Sequence, residues 1–261
     1  MKHHVLISLA LFVFGVASLH AQDEVRGPDG TTSTHVSGVE VLASPQMPFS
    51  GKSNIEWTRM LEDGSQVVVH LQANVARDSQ GRVYRERRSF APANSNQPNR
   101  LNEIHIYDPV ARTQTICNVT SFRCVRKGYA PVTFFNVRAT GWFDNNTRFL
   151  AREDLGSDVI NGQSVVGTRE TITVNPGRLG NNRPLVSTRE FWYLPELKTN
   201  IAVTRDDPRE GKQVIRLTDL SFSEPNPELF KVPIGYAVVD ERPPGRGAVF
   251  GSAKRPVSAG H

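Results

Sequence analysis

Apolar and polar positions alternate with a period of two along most of the chain between residues 48 and 239. In the run from 65 to 75, Val67, Val69, Leu71, Ala73 and Val75 share one side, and Gln66, His70, Gln72 and Asn74 share the other, with Val68 the exception. That pattern describes a strand with one buried and one wetted face. A second apolar run, Ile55 to Leu61, precedes it across Glu62-Asp63-Gly64, and Asp-Gly between two such runs is a hairpin signal. The chain turns again at 77–82 and returns as Val83 to Phe90. In 102–107, Ile104 and Ile106 oppose Glu103, His105 and Tyr107. Further runs at 163–174, 186–194, 200–204 and 213–222 are joined by short links such as Ile160-Asn161-Gly162. Short links between successive strands make an antiparallel meander. No long 3.6-residue period is present, and one or two short helices fit only within 92–101 or 129–152.

A meander of this length must cover an apolar face and two sheet edges. The expected fold is therefore mostly β: a curved antiparallel sheet or half-open β-barrel with one or two short helices. It occupies 48–239 as a single domain, a usual size. Residues 22–47 read as a flexible lead-in with a short strand at Val39–Leu42, and the Pro/Gly/Arg-rich 240–261 as a disordered tail.

The first 21 residues change the compartment. A basic start, an apolar run from Val5 to Leu19 and a small residue before Asp23-Glu24 read as a secretory signal peptide, cleaved after Ala21 or after Ala17. The expected location is the periplasm or the exterior. No later run is long and apolar enough for a membrane span. Removing residues 1–21 leaves 30 Lys+Arg against 26 Asp+Glu, a weak excess dominated by arginine. The tightest basic run, Arg85-Glu86-Arg87-Arg88, reads as a solvated strand face. It lacks the interleaved stacking aromatics of a nucleic-acid groove, and export argues further against such a partner. Cys117 and Cys124 flank a short hairpin loop and are expected to form a disulfide there, contributing about 2.5 kcal/mol in the chain-entropy view.

Reactive chemistry is sparse. His70 and His105, with Glu103, form a metal site only if their strands adjoin, so no metal or cofactor is expected. No nucleophile elbow or Ser-x-x-Lys set appears, and Ser79 sits in a turn. Glu153-Asp154 and Asp206-Asp207 are sequence neighbours, which point to opposite faces of a strand and do not work as a pair. The Gly177/Gly180 loop is not a phosphate loop. It reads as a long hairpin loop with a contact role as the alternative. No catalytic residue is assigned.

One segment breaks the alternation. Between 130 and 150 lie Phe134, Phe135, Trp142, Phe143 and Phe149. They read either as fixed core plugging the curved sheet or as a lid and apolar lining for a ligand.

The succession Leu61-Glu-Asp-Gly64, Arg77-Asp-Ser-Gln-Gly-Arg82, Ile106-Tyr-Asp-Pro109, Glu190-Phe-Trp-Tyr193, Asp207-Pro-Arg-Glu-Gly211 and Phe230 with Pro233 and Tyr236 resembles exported bacterial proteins of unassigned function. Its closing part is similar to lipoprotein-carrier-like domains of the LolA/LolB/RseB type. That resemblance implies an unclosed antiparallel barrel holding acyl chains, and hence a non-enzymatic envelope protein with a lipid or lipoprotein ligand. The alternative is an interaction or sensory module with an envelope protein partner and no small-molecule ligand.

Overall fold

A computed structural model describes residues 38–131 and 137–242. Fourteen strands occur among them: β1 Phe49–Met60, β2 Gln66–Arg77, β3 Val83–Arg88, β4 Ala91–Pro92, β5 Leu101–Asp108, β6 Thr113–Asn118, β7 Arg123–Gly128, β8 Gly141–Phe143, β9 Arg148–Ile160, β10 Gln163–Val174, β11 Leu185–Leu194, β12 Thr199–Asp207, β13 Gly211–Ser221 and β14 Ala237–Asp240. The turns carry the expected chemistry. At the β1–β2 hairpin the Gly64 amide donates to the Leu61 carbonyl, and Asn161-Gly162 between β9 and β10 takes positive φ at both residues.

All strands join one open sheet in the order β14-β7-β6-β5-β3-β2-β1-β13-β12-β11-β10-β9-β8, with β4 pairing to β2 off this path. The order itself requires curvature. Eleven strand spacings separate β7 from β8, or ~53 Å across a flat sheet. The chain from Gly128 to Gly141 reaches at most ~45 Å when fully extended. The two ends of the sheet must therefore bend toward each other. The curved, unclosed antiparallel sheet is the architecture that the alternation predicts.

The inner face is apolar. Phe191, Val203, Ile215, Ile55 and Leu71 stand opposite one another across β11, β12, β13, β1 and β2, and all belong to the main core cluster. On the outer face a smaller cluster joins Ala76, Tyr84 and Ile106 to Phe230. Phe230 closes a 3-10 turn, Pro227–Phe230, whose first amide is capped by the Asn226 side chain. This is the helical element of the described residues. Segment 92–101, expected to admit a helix, instead holds β4, a turn and the start of β5, because Asn99 ties that stretch to β2 through His70 and Gln72. From the 3-10 turn the chain crosses the outer face and adds β14 in parallel beside β7. The tail expected from 240 thus begins after a strand pairing that alternation alone does not foretell. The disulfide forms as expected between directly paired Cys117 and Cys124 of β6 and β7, and both residues are fully buried.

The stretch read as lead-in behaves differently over its described part. Val39, Val41 and Ala43 lie in the main core cluster. Arg85 Nη2 donates to the Val39 carbonyl at 2.8 Å, and Thr199 Oγ1 donates to the Glu40 carbonyl at 2.6 Å. Glu40 thereby meets β3 and β12, which lie four strand spacings apart in the sheet order. One residue touches both only because the sheet wraps round it. A run of three small apolar positions without turn signals is too brief to stand out in sequence, but it suffices to fill part of the concave face.

Gly81 fixes where this segment enters. Its φ is +82°, and a Cβ there would lie 2.3 Å from the Ser44 carbonyl carbon. Gly64 has φ +80° with nothing within 4 Å of its virtual Cβ. Gly64→Ala should cost only the left-handed backbone term of ~1–2 kcal/mol. Gly81→Ala should cost at least ~2 kcal/mol more, because rigid backbone must move. Urea unfolding of the two variants measures the difference, and equal losses would mean that residues 44–45 do not pack on this turn.

Candidate functional site

The concave face divides into an apolar strip, a buried charged cluster at one side and a polar row at the other. The strip is the row from Phe191 to Leu71, covered along part of its length by Val39, Val41 and Ala43. Its end is closed by Arg77, which is fully buried. Arg77 Nη2 donates to the Met47 and Leu197 carbonyls at 2.9 and 2.8 Å, and the guanidinium lies 5.4 Å from the Phe49 ring centroid. Burial pushes its pKa down to about 10, which leaves it charged at neutral pH.

The charged cluster corrects two sequence expectations. Arg85 and Glu86 are 7% and 5% exposed, not a solvated strand face. Arg85 pairs with Glu40 of the inner segment at 3.2 Å. Glu86 faces the other way and accepts from the Asn74 backbone and side chain, the Tyr84 hydroxyl and Arg88. Burial raises the Glu86 pKa, but Arg88 and the Asn74 hydrogen bonds outweigh it and hold the carboxyl below the ordinary range. His105, expected on a wet face, is 8% exposed. It pairs across strands with Arg85, and its Nε2 lies 2.8 Å from Glu103 Oε2. Strand β3 separates it from β2 and His70, which is half-buried against Asn99, so the two histidines are not brought together. Among the described residues no group of three or more His, Cys, Asp or Glu is arranged to hold a metal.

The polar row was not visible in the sequence, because it depends on register. Arg152, Glu170, Arg189, Arg205 and Gln213 are successive cross-strand partners from β9 to β13. Glu170 is buried and accepts from Arg152. Beside the row is a cavity of about 190 Å³ lined in part by Ile172, Val174, Leu185, Arg148, Arg189 and Arg205.

The aromatics singled out in sequence are dispersed. Phe134 and Phe135 lie outside the described residues. Trp142 is half-exposed and stacks edge-on against its strand partner Phe149 at 5.2 Å. Phe143 pairs with Arg148, on the opposite side of β8, and Arg138 lies over its ring at 4.6 Å. None of these three belongs to the described core clusters; the concave face is filled by residues 39–43 instead. The carboxylate neighbours are also engaged separately, Glu153 by Arg169 and Asp207 by Arg209. Ser79 donates to Glu224 from a turn.

No family model matches the chain, and no curated protein does. Similar solved structures include an uncharacterized conserved protein from Thermus thermophilus, 9% identical over 75% of this chain and 91% of that one, with a TM-score of 0.38. The MucA/MucB complex of Pseudomonas aeruginosa is 13% identical, with a TM-score of 0.37, over 73% of this chain and 57% of that chain. The Mycobacterium tuberculosis lipoprotein LppX is 14% identical, with a TM-score of 0.26, over 70% and 89%.

The burial of His105 has a consequence for stability. Desolvation lowers its pKa from the ordinary 6.5; Glu103 opposes this, and Arg87 and Arg85 add to it. The folded protein thus holds a neutral imidazole where the unfolded chain takes up a proton near pH 6.5. Stability present above that pH is lost as the pH falls through the lower folded value. In His105→Gln the loss of melting temperature between pH 7.5 and 5 should be smaller than in the parent protein, as measured by thermal unfolding.

Proposed function

We propose that this chain is a non-enzymatic exported envelope protein that holds a lipid, a lipoprotein or another apolar moiety against the concave face of its sheet. The observation that carries this reading is the inner segment. The strand expected at Val39–Leu42 does not form, but that run of the chain lies on the apolar strip, burying Val39, Val41 and Ala43 and held by hydrogen bonds from Arg85, Thr199 and Arg77. A strip that accepts an apolar segment of the chain offers the chemistry to accept an acyl chain in its place. Export follows from the N-terminal pattern. Of the aromatics singled out in sequence, Phe143, which shares its side of the sheet with Arg148, is proposed as apolar lining at the β8 end, with Phe134 and Phe135 as candidates from the same segment; Trp142 and Phe149 stand on the opposite side and are no part of the lining.

A second reading has a specific observation behind it. Strand β8 pairs only with Arg148–Leu150, and the remainder of β9 to Ile160 has no further strand beside it among the described residues. A free strand edge of this length suits an envelope protein that adds an extended segment. A stable complex recovered from envelope extracts, with no lipid on the protein, would favour it.

Native mass spectrometry of the protein purified from its host tests the main proposal. A bound lipid mass is expected, together with a raised melting temperature on adding laurate or a lysophospholipid. Because the inner segment occupies the same strip, Thr199→Val, which removes one hydrogen bond worth ~1 kcal/mol, should tighten apolar binding about fivefold. A clean unliganded mass and no thermal shift would overturn the reading.

A further inference from the structure

The two aromatics outside the concave face belong to a row on the other side of the sheet. Trp142, Phe149, Thr173 and Val186 are successive cross-strand partners on β8, β9, β10 and β11. Trp142 is 50% exposed, Val186 is 45% exposed and Phe149 is half-buried. The Trp142 indole N–H has no acceptor among the described residues. The β10–β11 hairpin loop, residues 175–184, continues this row past the strand ends, and its Leu179 is 48% exposed. Asn181 fixes the loop: its side chain accepts from the Leu179 amide at 3.0 Å and donates to the Asn175 and Arg183 carbonyls at 3.0 and 2.7 Å. Gly177 and Gly180 supply the left-handed positions, with φ of +79° and +77°. A lone exposed leucine is ordinary; this one is held rigidly at the end of an exposed apolar row.

The loop is also cationic. Residues 175–184 include Arg178 and Arg183 and no acid. Both arginines are exposed, and neither pairs with a carboxylate among the described residues. The acids around this corner are engaged elsewhere. Asp144 pairs with Arg148 and Asp207 with Arg209, Glu210 has a partner of its own, and Asp206 stands opposite Lys212. On the same outer face Glu153 and Glu190 lie four residues further along β9 and β11, and Arg169 holds both. Ala151, Thr171 and Thr188 separate that charged row from the apolar one. The corner is thus a narrow apolar band with two unpaired arginines at its end. A specific protein interface enlists about 20–30 residues a side, more than such a band offers. A bilayer surface needs less: a few apolar side chains, an aromatic with a polar edge at head-group level, and cations facing anionic lipid.

We propose that this outer corner docks the protein on an anionic lipid bilayer, with Trp142, Phe149, Val186 and Leu179 entering the interface and Arg178 and Arg183 meeting lipid phosphates. The proposal goes beyond the apolar-binding reading and does not rest on it, because the row lies on the side of β8 and β9 opposite Phe143 and Arg148. In this pose the free indole N–H of Trp142 finds head-group oxygens, and Leu179 leaves water for the acyl boundary.

Co-sedimentation of the protein purified from its host tests this with two kinds of vesicle, phosphatidylcholine alone and phosphatidylcholine mixed with phosphatidylglycerol. The anionic vesicles are expected to hold the protein about tenfold more tightly, and high salt should remove the difference. Arg178→Gln combined with Arg183→Gln should weaken binding to the anionic vesicles about tenfold, and Leu179→Ser by a similar factor. Both variants should melt as the parent does, since these side chains have no partner in the fold to lose. Trp142→Phe, which keeps an aromatic ring against Phe149, should remove the blue shift of tryptophan emission that binding produces. Absence of binding to the anionic vesicles, or binding that the loop variants leave unchanged, overturns the proposal. So does a concentration-dependent dimer that Trp142→Ser disperses, which would give the row to a second copy of the chain. A loop variant that no longer sediments but keeps a lipid mass in its native spectrum supports the docking corner and leaves the strip reading intact. Parent protein that sediments, with a clean unliganded mass, supports the corner and removes the strip reading alone.

Discussion

A guanidinium with no carboxylate beside it among the described residues sits at the closed end of the concave face. Arg77 has no exposed surface, and its Nη2 donates to two carbonyls, those of Met47 and Leu197. Removing such a group from water costs several kcal/mol even after relaxation. That cost is tolerated because the two carbonyls belong to the inner segment's exit and to the β11–β12 turn, which otherwise share no backbone ladder. Arg85 does the same at the other end through Val39 and Glu40. With these two side chains in place, the inner segment lies in one path, and the curved sheet has a core to curve around.

Much of this architecture is legible in the chain. The alternation from Val69 to Val75, the Asp63-Gly64 turn and the Asn161-Gly162 turn each declare local geometry, and local geometry summed over consecutive strands makes a meander. The limits arise where a residue's environment is set by a distant partner. Arg85 and Glu86 look like a wet charged run because their neighbours in sequence are charged; their burial depends on Glu40, 45 residues earlier, and on Asn74 across the strand pair. His105 follows from the same cause. The polar row is harder still to read, since its members lie between 8 and 19 residues apart along the chain and meet only through strand register. The segment from 130 to 150 misleads in the other direction: its aromatic density suggests one patch, but alternation in β8 and β9 sends Trp142 and Phe149 to one side and Phe143 to the other.

The concave face therefore combines two materials. Its centre is apolar and already occupied by part of the chain, while its β10–β13 end is lined with arginines and carboxylates together. The outer face contributes mainly support. Phe230 and the C-terminal crossover cover β3 and β5 from behind and tie β14 to β7, so the curvature is held from both sides.

The position of β1 bears on how the molecule is made. Its first neighbour, β2, follows at once, but its second, β13, brings Ile215 opposite Ile55, a separation of 160 residues (215 minus 55). Until that late strand emerges, a twelve-residue edge bearing Phe49 and Ile55 has open backbone groups. Contacts so far apart in sequence make for slow self-assembly, and an open hydrophobic edge invites pairing with the wrong chain in the meantime. Such a chain gains from a holding chaperone on its way to maturity, and it would be expected to give poor yields when refolded at high concentration.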